Sequence, residues 1–187
     1  AIDWFSVAMG IGSNEGDGIG DDNEADWQHQ NGIKEDLLSF TYSQVWDLGA
    51  TAGAMNSNII SAYTSYLSQG GTLFLMGEND NFITRNNSIF SLISTLGGGS
   101  VSQGSNSAYT DVTIIPQFRT ANTTSIMQYP AAGTFSTIGT GTCITSDCAA
   151  VLYSPGKLGS AAAGTLIVVL DINFVQSNFS SDRKSVV

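Results

Sequence analysis

Three carboxylates in this chain each follow an apolar, strand-like run: Asp47 after QVW, Glu78 after LFLMG and Asp171 after LIVVL. If those runs are neighbouring parallel strands, the three acids arrive at one edge of a sheet, with Asn79, Arg85 and Asn173 beside them. Acids gathered in that way suit a divalent cation or a small polar ligand. They suit equally an internal network in which Arg85 neutralises Glu78 or Asp171 and the asparagines cap loops. Residue type alone leaves both readings open.

A second candidate is the acid- and glycine-rich loop SNEGDGIGDDNEAD, residues 13–26. Calcium takes six to eight oxygens from closely spaced carboxylates, and glycine permits the sharp turn between them. Set against the pattern of a twelve-residue calcium loop, Ser13, Glu15 and Asp17 fall at the first, third and fifth positions. Gly18 is sixth, the Ile19 carbonyl seventh, Asp21 ninth and Glu24 twelfth. The GDGIGDD core also resembles the calcium-binding repeats of thrombospondin-type extracellular proteins. Serine is a weak first ligand and there is no second copy, so a solvated acidic loop is the competing reading.

Cys143 and Cys148 stand five apart. A metal site built on them would need more ligands, and His29 is the one histidine. A small disulfide loop is the expectation, which implies an oxidising compartment; two buried thiols are the alternative. The aromatic residues Trp4, Trp27, Trp46, Tyr42, Tyr63 and Tyr66 suit a sugar-binding platform or, more commonly, core packing. Asn86, Asn122 and Asn178 lie in N-x-S/T sequons.

Composition narrows the partners. The chain has 187 residues, 42% hydrophobic and only 12% charged. Its polar surface must come from Ser, Thr, Asn, Gln and Gly, as in many secreted proteins. A net charge of −10 with six Lys and Arg argues against nucleic acid. No apolar run approaches the length of a membrane span. The first residue is Ala1, which removal of a signal peptide would explain and so would excision from a longer chain.

The elements that must position these residues follow from periodicity. Strands are predicted over 2–8, 43–48, 72–76 and 165–170, and helices over 25–38, 57–68 and 84–96. This alternation predicts one α/β domain over residues 1–187 with a mostly parallel central sheet. Residues 100–160 read as a β- and loop-rich insertion with short strands at 112–115, 125–129 and 149–153.

The segments VWDLG, GGTLFLMGENDNF-x-x-RNNSI, LGGGS and LIVVLDINF, in that order, resemble a domain of large bacterial secreted and surface proteins. Those domains look like divergent relatives of the class I glutamine amidotransferase-like fold, a flavodoxin-like three-layer α/β sandwich. The resemblance covers roughly residues 21–174 and implies the fold, not the activity. Amidotransferases carry a nucleophilic Cys in the turn after the strand, completed by His and Glu; this chain has Gly77, Glu78 and Asn79 there. Without an activated nucleophile, acyl transfer has no route.

The expectation is therefore a non-enzymatic extracellular structural protein. It would be a self-associating subunit of a bacterial surface filament, sheath or layer, stabilised by calcium, with apolar residues 1–7 and 185–187 pairing to a neighbour. The alternatives are a module that binds carbohydrate or another surface polymer, with surface polysaccharide as partner, and a metal-dependent hydrolase using Asp47, Glu78 and Asp171.

Overall fold

A computed structural model describes residues 44–47, 53–108, 111–119, 132–161 and 163–171. The calcium-loop candidates Ser13, Glu15, Asp17, Ile19, Asp21 and Glu24 fall outside these residues. So do Asn173, Trp4, Trp27, Tyr42, His29, both chain ends, and the elements predicted at 2–8, 25–38 and 125–129.

Strand β1 (Gln44–Asp47) leads to helix α1 (Ser57–Ser68) and strand β2 (Thr72–Gly77). A short 3-10 turn, Asp80–Phe82, opens directly into helix α2 (Ile83–Thr95). Strands β3 (Val101–Gln103) and β4 (Phe135–Ile138) pair as a separate antiparallel ribbon. Strands β5 (Thr142–Cys143), β6 (Ala150–Tyr153) and β7 (Thr165–Leu170) follow.

Local chemistry sets the helix limits. The Asn56 side chain accepts a hydrogen bond from Ile59 N at 2.9 Å, satisfying one of the unpaired amides at the start of α1. At the other end Gly70 takes φ +92°, and the Gly70 and Gly71 amides bond back to Leu67 and Tyr66 at 3.0 and 3.1 Å. That is a Schellman closure, which needs a residue comfortable in the left-handed region. Helix α2 stops in the same way at Gly97 and Gly98.

The central sheet is mixed, in the order β1-β2-β7-β6-β5. β1, β2 and β7 run parallel, whereas β6 and β5 are antiparallel additions. The parallel strands advance in one direction across the sheet, so right-handed crossovers place α1 and α2 on the same face. The core agrees. Leu73, Leu75, Leu166 and Val168 pack with Ile59, Tyr63, Tyr66, Ile89 and Ile93. Fully burying a leucine contributes about 2 kcal/mol. On the opposite face Trp46 stacks on Phe74, with ring centroids 4.5 Å apart, beside Met76 and Val169. Among the described residues no helix covers that face.

The region 100–160 differs from the expected insertion. Its later part supplies β5 and β6 to the central sheet itself. Residues 112–115 form no strand of their own; Val112 and Ile114 are isolated bridge residues, and Ile114 is bridged to Thr145. Cys143 and Cys148 are joined as a disulfide, with Cα atoms 5.0 Å apart.

Candidate functional site

Register decides where the strand-end acids go. Asp47 lies level with Leu75, and Gly77 lies level with Leu170. Glu78 and Asp171 therefore stand side by side, one step past the last pair. Asp47 is three positions short of Glu78, since it matches residue 75 and not 78, which is about 10 Å along a strand. Side-chain alternation also puts Asp47 on the face of Val45, which is the helix face. The described bonds accordingly divide the predicted residues into two groups.

In the first group, Asp47 Oδ2 accepts from Arg85 Nη2 at 2.6 Å and from the Tyr63 hydroxyl at 2.7 Å. The Arg85 and Asp47 side chains are only 5% and 8% exposed, so the ion pair is screened little by solvent. Burial pushes the Tyr63 hydroxyl well above its ordinary value, and the neighbouring Asp47 charge raises it further against the opposing Arg85. Burial pulls Arg85 down, but the adjacent Asp47 carboxylate outweighs it and holds the guanidinium above its usual value. Arg85 stays charged and Tyr63 stays a neutral donor. The expectation that Arg85 would neutralise Glu78 or Asp171 is replaced by this pairing with Asp47. Helix geometry accounts for it: Arg85 shares a stripe with Ile89 and Leu92, which faces the sheet where Asp47 points.

In the second group, Asn79 Nδ2 donates to Glu78 Oε2 at 3.3 Å and to Asp171 Oδ2 at 3.2 Å. One amide thus bridges two buried carboxylates, 3% and 0% exposed. Asn79 N also donates to Glu78 Oε2, and Asn79 Oδ1 caps the 3-10 turn by accepting from Asn81 N at 3.1 Å. Asp171 has φ +152°, a backbone conformation that non-glycine residues seldom adopt.

Three residues of this neighbourhood were not singled out from the sequence as holding it together. Asn86 accepts from Glu78 N at 2.8 Å, and its Nδ2 donates to Glu78 O at 2.5 Å and to Gln103 Oε1 at 2.8 Å. It clamps the strand end to α2 and to β3. The clamp requires Gly77, because a Cβ there would overlap Asn86 Oδ1 and come within 2.8 Å of Leu170 Cδ2. Asn106 and Asp80 bond reciprocally, at 3.1 and 2.6 Å, and tie the next loop to the same turn. The available signal was a polar residue on an apolar helix stripe, since Asn86 precedes Ile89, Phe90 and Ile93 at helical spacing. Asn86 is fully buried, so its sequon is closed to glycosylation in the folded chain; Asn122 and Asn178 lie outside the described residues.

No family model and no curated protein matches the chain. Solved structures similar to it include these two. One is described as the mmIFT52 N-terminal domain, 14% identical with a TM-score of 0.55, the match covering 75% of this chain and 70% of that one. The other is an exo-beta-1,4-mannosidase, Op5Man5 from Opitutaceae bacterium strain TAV5, 12% identical over 84% of this chain and 28% of that chain. Its TM-score of 0.43 is too low to carry an argument. The first likeness supports the α/β fold and nothing about activity.

Chemically, the rim of the sheet offers hydrogen-bond acceptors held by amides. Among the described residues no three His, Cys, Asp or Glu side chains are grouped to hold a metal ion. Tyr63 and Tyr66 are fully buried in the helix-face core, which removes them from any exposed aromatic platform, and Trp46 is stacked on Phe74. Phe82, 47% exposed, is the large aromatic left at this rim among the described residues.

Proposed function

We propose that the chain is a non-enzymatic, secreted structural module of a bacterial surface assembly, built on a divergent flavodoxin-like, three-layer version of the amidotransferase-like fold. The observation that carries this reading is the use made of the strand-end polar residues. Asp47 is consumed by a buried Arg85 and Tyr63, and Glu78 and Asp171 are bridged by Asn79. The backbone supports it too. A nucleophile turn of the kind seen in α/β-hydrolases is sharply strained, and here positive φ outside glycine occurs, among the described residues, at Cys148 and Asp171, not at Glu78. The disulfide and the sparsely charged composition suit an oxidising exterior.

Self-association, with or without calcium held by the 13–26 loop, is the activity this reading assigns. Light scattering and electron microscopy of the full chain, with calcium and with a chelator, test it. Ordered homopolymers are the expected result, and a strict monomer at high concentration in both buffers sinks the proposal. One observation favours a second reading as a carbohydrate-binding module: Phe82 is exposed beside the sheet rim where ligands of open α/β sheets gather. Glycan-array binding that is lost in Phe82→Ala would establish it. The third reading, a metal-dependent hydrolase, requires an activity abolished by Glu78→Gln.

A further inference from the structure

Residues 143–148 form a closed ring, and the outer side of that ring is an occupied sheet edge. Ile115 N donates to Ile144 O at 2.8 Å, Ser146 N donates to Thr113 O at 2.9 Å, and Thr113 N donates to Ser146 Oγ at 3.0 Å. Ile114 and Thr145 make the bridge between them. Among the described residues, every hydrogen bond from 113–115 to a residue outside 111–119 thus ends inside the disulfide ring. The ring also holds β4, through Phe135 N and Cys148 O at 3.0 Å.

We infer that the Cys143–Cys148 disulfide is a redox-sensitive clasp: its reduction releases residues 113–115 from the sheet edge while the parallel strands and the buried Val112 stay in place. Cys148 sits at φ +58°, a conformation that L-residues other than Asn and Asp rarely take, and closure of the short ring holds it there. Both cysteines are half-buried, within reach of a small reductant. A dithiol supplies two electrons and two protons: the S–S bond breaks, each cysteine sulfur becomes a thiol, and the dithiol's sulfurs close a disulfide of their own. Cys148 then relaxes towards negative φ. Its carbonyl turns from Phe135 N, and the Ile144 and Ser146 groups lose their common alignment. On the inner side the Thr145 hydroxyl still accepts from Ala149 N at 2.9 Å and Ala150 N at 3.2 Å, so β6 keeps its place. The loosening is local for that reason. This inference is independent of whether the chain self-associates.

The test is hydrogen exchange on the full chain, oxidised and after dithiothreitol, with the Cys143→Ser/Cys148→Ser double variant as a reagent-free comparison. Protection of the Thr113, Ile115, Phe135 and Ser146 amides should fall roughly tenfold or more, and that of β2 and β7 should hold. Unchanged protection at 113–115 in the reduced chain overturns the clasp, because Thr145 alone would then be holding the edge. Loss of protection throughout also overturns it, by making the disulfide a staple of the whole fold. So does a native disulfide that dithiothreitol leaves intact.

Discussion

Replacing Arg85 by methionine keeps most of the side-chain stem and removes the guanidinium. Asp47 then remains in the helix-face core as a buried carboxylate without its cation. The pair is 2.6 Å long with both side chains under 10% exposed, at 5% and 8%. Breaking such a pair from one side costs about 3–5 kcal/mol. A domain of this size has a total stability of about 5–15 kcal/mol, so the single variant loses a large share of it. At about 2–4 °C per kcal/mol, Tm falls by roughly 10 °C. Asp47→Asn strands the guanidinium instead and should cost a similar amount, although the Tyr63 hydroxyl still finds an acceptor. The double variant Asp47→Asn/Arg85→Met leaves no orphaned charge, so its loss should fall short of the sum of the singles by about 2 kcal/mol or more. Urea unfolding followed by tryptophan fluorescence reads all three, and Trp46 lies next to Asp47 in β1. A loss below about 1 kcal/mol for Arg85→Met, or strict additivity, would falsify the claim that this ion pair is structural. Arg85 and Asp47 would then return to the candidates for binding.

Three further outcomes follow from the same geometry. Tyr63 has a folded-state pKa above its unfolded value of about 10, so its contribution is complete below that pH and is lost as pH rises beyond it, at about 1.4 kcal/mol per pH unit. Ultraviolet titration of tyrosinate checks this: Tyr63 should ionise only with alkaline unfolding, and titration alongside exposed tyrosines in the native chain contradicts it. Gly77→Ala forces a methyl onto Asn86 Oδ1 and Leu170, and should cost about 1–3 kcal/mol in urea unfolding; a neutral result would mean that the Asn86 clamp is looser than described. In a glycosylating host, peptide mapping should find Asn86 unmodified in folded protein, since its amide is fully buried and donates to Glu78 O and Gln103.

Much of the frame was legible because its signals are strong and local. The residues 57–68 carry apolar side chains at helical spacing and end in Gly70-Gly71, and α1 spans Ser57–Ser68. The run TLIVVL reads as a buried strand and is β7. What stayed hidden depends on contacts distant in sequence. Strand β6 joins the central sheet by pairing with β7 and β5 by pairing with β6, and two residues of β5 leave no periodic trace. The separation of Asp47 from Glu78 and Asp171 is a matter of register, which a set of apolar runs does not specify for parallel strands joined by long crossovers. Asn86 looked like a sequon because its neighbours Asn87 and Ser88 complete one; only the packing of α2 turns the amide inward.

The two polar groups at the sheet rim differ in how firmly they are committed. Asp47 is held by a 2.6 Å contact from Arg85 and a 2.7 Å contact from the Tyr63 hydroxyl, both at charge-assisted length. The Asn79 bridge to Glu78 and Asp171 spans 3.3 and 3.2 Å, longer than the usual N–H···O distance of about 2.9–3.0 Å. A polar ligand arriving at the rim would have to break a desolvated ion pair to reach Asp47. At Glu78 and Asp171 it would meet amide contacts of 3.2–3.3 Å from Asn79, with Phe82 exposed three residues beyond the Asn79 cap. The strained backbone of Asp171 lies in that second group as well. The Asp47 corner is thus closed by a buried ion pair, whereas the Glu78 and Asp171 corner is tied together by the Asn79 amide.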